Sequence, residues 1–188
     1  MKTLPEHLEE YLGPIRDGFS PPVDEEHAPF QIVEFADGQL EGVHAYSTLG
    51  LSQKALRSPR SQKLIHHELL FLCRPFSESK YIAALLHQAG EEAITRDTAY
   101  LRGEVLGPRG PLFTGSNLEA LYVAMPVYLP DAFAAHTEPD GRTVVIAWLV
   151  PITRNEAEFV RTFGWGKFED LLVEKDPDLL DMGRPSLV

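Results

Sequence analysis

The stretch Trp148-Leu149-Val150-Pro151-Ile152-Thr153-Arg154-Asn155-Glu156-Ala157-Glu158-Phe159 marks the sharpest change of local structure in the chain. An apolar strand signal runs into a proline, and a helical pattern begins two residues later behind Thr153. Thr153 and Glu156 have capping-box spacing: the hydroxyl caps the third helical amide and the carboxylate reaches back to the amide of Thr153. Proline has no amide hydrogen to give a sheet ladder, so Pro151 is expected to end the strand and Thr153 to open the helix.

Outward from this hinge, Thr143 to Val150 reads as a buried strand entered through the turn Pro139-Asp140-Gly141. Leu118 to Leu129 reads as another, which ends, bulges or lies at a sheet edge near Pro126, and Lys63 to Cys73 as a third. Phe30 to Phe35 and Gly42 to Leu49 flank Asp37-Gly38 and predict a hairpin. Ser77 to Thr95 is the best long helix, with Ile82, Leu85, Leu86 and Ala89 at helical spacing and Gly90 weakening its later turns. Leu4 to Leu12 predicts an amphipathic helix stopped by Gly13-Pro14. Gly18 to Pro29 and Ser52 to Gln62 read as loops, and Gly103 to Gly115 as loop with at most a short strand at Glu104-Val105-Leu106. Two helices close the chain, Arg154 to Thr162 and Phe168 to Glu174, separated by Gly164-Trp165-Gly166. The hairpin joins predict an α+β fold, a mostly antiparallel sheet with helices packed on it. Residues 1–188 read as one domain, with a core over 29–188 behind the helix and acidic loop of 1–28.

The composition is ordinary for a soluble globular protein, at 44% hydrophobic and 24% charged residues. No apolar run reaches the roughly 18 residues that span a bilayer. The N-terminus turns acidic at once and lacks an apolar signal core, so the cytoplasm is the expected location. Cys73, the one cysteine, leaves no intrachain disulfide and no cysteine zinc site, and its apolar neighbours predict burial. A net charge of −11 argues against nucleic-acid binding and favours solubility or a basic protein partner.

Catalytic chemistry finds few candidates. His66-His67-Glu68 is the one tight histidine cluster, but neighbouring strand residues face opposite sides. His66 and His67 therefore cannot share a metal readily, and no metal or cofactor is expected. No Gly-x-Ser-x-Gly elbow is present, and Ser116 reads as a turn residue. Prolines stand at Gly107-Pro108-Arg109-Gly110-Pro111, where a phosphate loop needs amide donors. Glu9-Glu10, Glu25-Glu26 and Glu91-Glu92 read as solvated faces. Trp165, between glycines and near Phe163 and Phe168, is either a protein-binding anchor or a plug for the terminal helices.

Four groups of residues, in order, carry a family likeness. They are Ser47-Thr48-Leu49-Gly50-Leu51-Ser52; His67-Glu68-Leu69-Leu70-Phe71; Val150-Pro151-Ile152-Thr153 with Glu156 and Gly164; and Asp181-Met182-Gly183-Arg184-Pro185-Ser186. From about Pro29 to the C-terminus the chain resembles the suppressor-of-fused domain in its bacterial single-domain form. The resemblance implies an α+β domain without known catalytic residues. Animal relatives sequester a transcription factor by clasping an extended peptide as an added strand. Bacterial members have been proposed as immunity proteins that neutralise toxins of polymorphic toxin systems. Physics gives the motif positions structural work: Gly50 a turn at positive φ, and Glu68 with Arg184 a buried or half-buried ion pair.

Two functions are then in view. One is a non-enzymatic protein-binding module, an immunity-type protein occluding a toxin, with Asp24, Glu25, Glu26 and Trp165 as contacts. The other is a small hydrolase or ligand-binding enzyme, which requires His66, Glu68 and His136 to converge in one cleft.

Overall fold

The computed structural model describes residues 2–20 and 30–188. The expected acidic contacts Asp24, Glu25 and Glu26 lie outside the described residues, as does most of the loop expected over Gly18 to Pro29. At the start of that loop a strand was missed: β1 spans Ile15–Phe19. It follows α1 (Leu4–Leu12), whose helix stops at Gly13 in a positive-φ conformation.

Strand β2 (Gln31–Phe35) pairs antiparallel with β1 on one side and with β3 (His44–Leu49) on the other. The polar stretch after it holds a two-residue strand, β4 (Leu56–Arg57). It pairs with β5 (Leu64–Cys73). Helix α2 spans Ile82–Thr95 behind one turn of 3₁₀ helix, so the helical pattern from Ser77 overreaches by about a turn. β6 (Val105–Leu106) and β7 (Leu118–Ala124) form a hairpin, and β7 stops two residues short of Pro126. β8 (Ala135–Thr137) was not foreseen, and β9 runs Thr143–Thr153. Helices α3 (Arg154–Phe163) and α4 (Trp165–Lys175) close the chain. Only Gly164 separates them: Gly166 lies inside α4.

The sheet order is β1-β2-β3-β5-β9-β7-β6, with β4 on β5 and β8 on β9. Every pairing is antiparallel except β5 with β9, at the centre. Helices cover both faces there. Leu70, Leu72, Ile146, Trp148 and Val150 face α1, α3 and α4, while Leu69, Phe71, Ala147 and Leu149 face α2. This two-sided burial is why β5 and β9 read as continuous apolar runs rather than alternating strands.

Pro151 does not end its strand. It lies inside β9 opposite Leu121 of β7. Along β7 the odd residues turn their N–H and C=O toward β6, since Val123 N donates to Glu104 O and Arg109 N donates to Glu119 O. Leu121–Pro151 is thus a pair without ladder bonds, and Pro151 turns its nitrogen and carbonyl away from β7. β5 has already left that side, its pairing with β9 ending at Trp148. No hydrogen bond is lost, and the strand runs on to Thr153.

Candidate functional site

The family-like residues assemble into two buried carboxylate hubs. At the first, Glu68 on β5 reaches the turn after β3. Its Oε1 accepts from the amides of Gly50 (3.0 Å) and Ser52 (3.1 Å), and its Oε2 accepts from the Thr48 hydroxyl at 2.5 Å. Thr48 Oγ1 in turn accepts from Leu69 N at 2.8 Å. Gly50, at φ 105°, supplies the left-handed turn that aims both amides at one oxygen. Burial pushes the Glu68 carboxyl up from its ordinary pKa, against the hydrogen bonds from Thr48, Ser52 and Gly50.

At the second hub, Glu156 on α3 meets Arg184 from the C-terminal tail. Arg184 Nη1 donates to Oε1 at 2.7 Å and Nη2 to Oε2 at 2.8 Å, both side chains being buried. Glu156 Oε2 also accepts from Thr153 N (2.7 Å), and Thr153 Oγ1 accepts from Glu156 N (3.2 Å), completing the expected capping box. Arg184 Nη2 reaches Pro151 O at 3.1 Å, and Leu187 N donates to Glu156 Oε1 at 3.1 Å. The expected Glu68–Arg184 pair is therefore incorrect. Each group has a different partner, because Glu68 is consumed by backbone amides and Arg184 by the helix cap. Both hubs are packed shut and hold elements together.

The residues of the enzyme reading are engaged separately. His66 Nδ1 lies 2.7 Å from Ser52 O. His136 pairs across β9 on the far side from β5 and stacks on His7 at 4.7 Å between ring centroids. His66 and Glu68 face one side of β5, yet no hydrogen bond links any two of His66, Glu68 and His136. Among the described residues no group of three acidic, histidine or cysteine side chains is placed to hold a metal. His67 is buried against Tyr100, and burial pushes its imidazole down to about 4. Cys73 is buried too, its thiol pushed up to about 12.

The sheet has two edge strands, β1 and β6, and the one at β6 is lined by a cleft. A cleft of about 860 Å³ lies along it. Glu92 of α2 and Arg96, which caps that helix, wall it from one face of the sheet. Val160 and Arg161 of α3, Gly164 and Trp165 wall it from the other, and Gly103 to Arg109 form its floor. By the alternation of β7, the N–H and C=O of Val105 point into this cleft. Arg161 Nη2 donates to Gly107 O on the same outer side. Arg96 and Arg109 share the Glu92 carboxylate, each at 2.7 Å, so guanidinium groups outnumber the carboxylates they meet there.

Trp165 is both plug and wall. Its ring lies against Gly103, at φ 91°, where any Cβ would overlap it, and Arg102 sits 5.0 Å over the ring. The residue stays 37% exposed at the rim. Sequence reasoning found Trp165 but missed Val105, Arg96, Arg109 and Arg161. The weak signal was the two-residue strand between Gly103 and Gly107, which carries no periodicity of its own.

Solved structures share the fold. A suppressor-of-fused homologue from Neisseria gonorrhoeae FA 1090 aligns at TM-score 0.71 and 21% identity over 97% of this chain and 93% of that one. The Sufu–Fu complex structure aligns at TM-score 0.73 and 17% identity, covering 96% and 89%. Drosophila Suppressor of Fused aligns at TM-score 0.64 and 18% identity over 85% of this chain, which spans 43% of that protein. No curated protein sequence matches. The family model described as Suppressor of fused protein (SUFU) matches residues 26–185, and the chain belongs to that family.

Proposed function

We propose that this chain is a non-enzymatic binding module that takes an extended segment of a partner protein as an added strand on β6. The open β6 edge, in its cleft between helices from opposite faces of the sheet, is the observation that carries the reading. Strand addition draws affinity from backbone hydrogen bonds and specificity from alternate side-chain pockets. Here Val105 offers the backbone pair, while Arg96 and Arg109 on one side and Arg161 with Trp165 on the other offer the side-chain contacts. The segment that enters carries acidic residues. A relative solved as the Sufu–Fu complex supports a protein as the partner.

The finer form of the reading is toxin neutralisation in the cytoplasm, as proposed for bacterial members of the family. The overall charge of −11 supports it by steering a basic protein toward the domain. Asp24, Glu25 and Glu26 serve in this reading as a second, electrostatic contact.

The test uses the purified product of the adjacent reading frame as partner and compares binding by wild type, Val105→Pro and Arg161→Glu. Proline at Val105 removes an amide that β7 does not use, so the fold is retained and binding is lost. Unchanged affinity in both variants overturns the β6 assignment. Equal affinity at low and high salt, or in a variant with all three loop charges reversed, overturns the acidic-loop contact.

A further inference from the structure

The backbone of the β6 edge accepts an added strand in one register. Val105 turns its N–H and C=O outward, and the groups on either side of it are already spent. Before it, Gly103 N donates to Val123 O at 2.9 Å, back toward β7. After it, Gly107 O on the outer side accepts from Arg161. A segment that pairs here is therefore held with one residue opposite Val105. Residues directly opposite in paired strands share a face, and their chain neighbours take the other. Val105 packs on the α3 and α4 side of the sheet and Leu106 on the α2 side. The side chain opposite Val105 thus meets Val160 and Trp165, while its two neighbours face Glu92, Arg96 and Arg109.

The two sides ask for different chemistry. On the α3 side the wall is Val160 and the Trp165 ring, and a Cβ at Gly164 would meet nothing within 4 Å, so there is room for an apolar side chain. On the α2 side the uncharged polar groups are engaged. Thr98 Oγ1 donates to Arg96 O and Tyr100 OH to Ala89 O, both at 2.9 Å. Glu104, at the Gly103 end, accepts from Leu101 N at 2.8 Å. Arg109 stays 50% exposed although it shares Glu92 with Arg96. Over the whole cleft three guanidinium groups face two carboxylates. With Glu104 at one end, the surplus positive charge lies at the other, beside Gly107 and Arg109.

We infer that the segment taken up on β6 carries an apolar side chain opposite Val105, seated on Val160 and Trp165, and a carboxylate on the residue next to it, paired with Arg109. The inference rests on the strand-addition reading and adds the order of residues that the edge selects. Either strand direction brings one neighbour of the apolar residue to the Gly107 end. Direction decides only whether the carboxylate precedes or follows it in the partner.

The probes are end-blocked peptides with the cores Thr-Glu-Phe-Glu-Thr, Thr-Gln-Phe-Gln-Thr and Thr-Glu-Thr-Glu-Thr. Glutamate stands on both sides of the phenylalanine so that either strand direction is served. Binding is read from the ¹H–¹⁵N amide signals of Val105 and Leu106 at about 0.15 M salt, where the overall charge of −11 is screened beyond about 8 Å. The Glu-Phe-Glu probe should bind about fivefold more tightly than Gln-Phe-Gln, the worth of one half-exposed ion pair. That preference should vanish in Arg109→Gln, in which Glu92 keeps Arg96 and the fold is retained, and should persist in Arg161→Gln. The chain has two tryptophans, so Trp165→Phe assigns the indole signals. Glu-Phe-Glu should move the Trp165 indole signal and Glu-Thr-Glu should not. Equal affinity for the Glu and Gln probes, a preference that survives Arg109→Gln, a Trp165 signal moved equally by the Phe and Thr probes, or no binding by any probe overturns the inference. Probes that bind without discrimination but are all lost in Val105→Pro leave strand addition standing. Binding untouched by Val105→Pro overturns strand addition and this inference with it.

Discussion

Arg184→Met tests whether the second hub holds the C-terminal tail to the sheet. The substitution removes two charged hydrogen bonds to Glu156, at 2.7 and 2.8 Å, and the donor to Pro151 O. Glu156 keeps two backbone donors, Thr153 N and Leu187 N, so its carboxylate is under-compensated but not bare. Breaking a buried ion pair from one side costs about 3–5 kcal/mol. The residual donors place Arg184→Met near the lower end of that range. Glu156→Leu should be worse, because it leaves the guanidinium buried without an anion and also orphans the Thr153 amide at the helix cap. The double variant Arg184→Met with Glu156→Leu removes both charges and should recover about 2 kcal/mol relative to the sum of the singles. Arg154→Met provides the contrast: its pair with Glu119 leaves Arg154 52% exposed and should contribute about 0–1 kcal/mol. Urea unfolding followed by far-ultraviolet circular dichroism reads all four variants through their midpoints at constant slope. A loss below about 1 kcal/mol for Arg184→Met, equal to that of Arg154→Met, would refute the hub as a source of stability.

Gly90→Ala in α2 should destabilise despite a helix-propensity gain of about 1 kcal/mol, because a Cβ there would overlap the buried ring of Phe30. In a Phe30→Leu background the same change should become neutral or stabilising, and thermal melts of the four proteins decide it. His67 stays neutral in its apolar site, with its pKa lowered to about 4 from the ordinary 6.5. The unfolded chain therefore binds the proton first as pH falls, and stability present above about pH 6.5 is lost on the way down to about pH 4. His67→Phe should remove about 2 kcal/mol of the stability difference between pH 7 and pH 5, measured by urea unfolding at both values. An unchanged difference shows that His67 is not the group responsible. Gly103→Ala should displace Trp165, since the glycine combines φ 91° with direct contact on the indole. Trp165 fluorescence in a Trp148→Phe background should shift to longer wavelength, and an unshifted spectrum contradicts the packing.

What the chain disclosed by pattern, and what it withheld, divides along a physical line. The Thr153–Glu156 box, the turn at Gly50 and the strand over Lys63 to Cys73 were legible because each rests on bonds or periodicity within a few residues. The Glu68–Arg184 pairing failed because charge alone does not say which buried donors are nearer. Glu68 found amides from residues 50 and 52, and Arg184 found a helix cap twenty-eight residues earlier. Pro151 failed for the same reason. Its rule is sound for a strand with neighbours on both sides, but β5 stops pairing at Trp148, a fact of register that no local window contains. The two hubs explain why the four family-like groups occur together in one order. Glu68 ties the second group to the first and Glu156 ties the third to the fourth, so each group has a covalently distant partner that it cannot lose alone. Residues held in that way report the fold. The β6 edge with Val105 and Arg161 lies outside those bonds. Substitutions there leave the hubs intact, so under the strand-addition proposal Val105→Pro is expected to lose binding without the loss of stability that Arg184→Met brings.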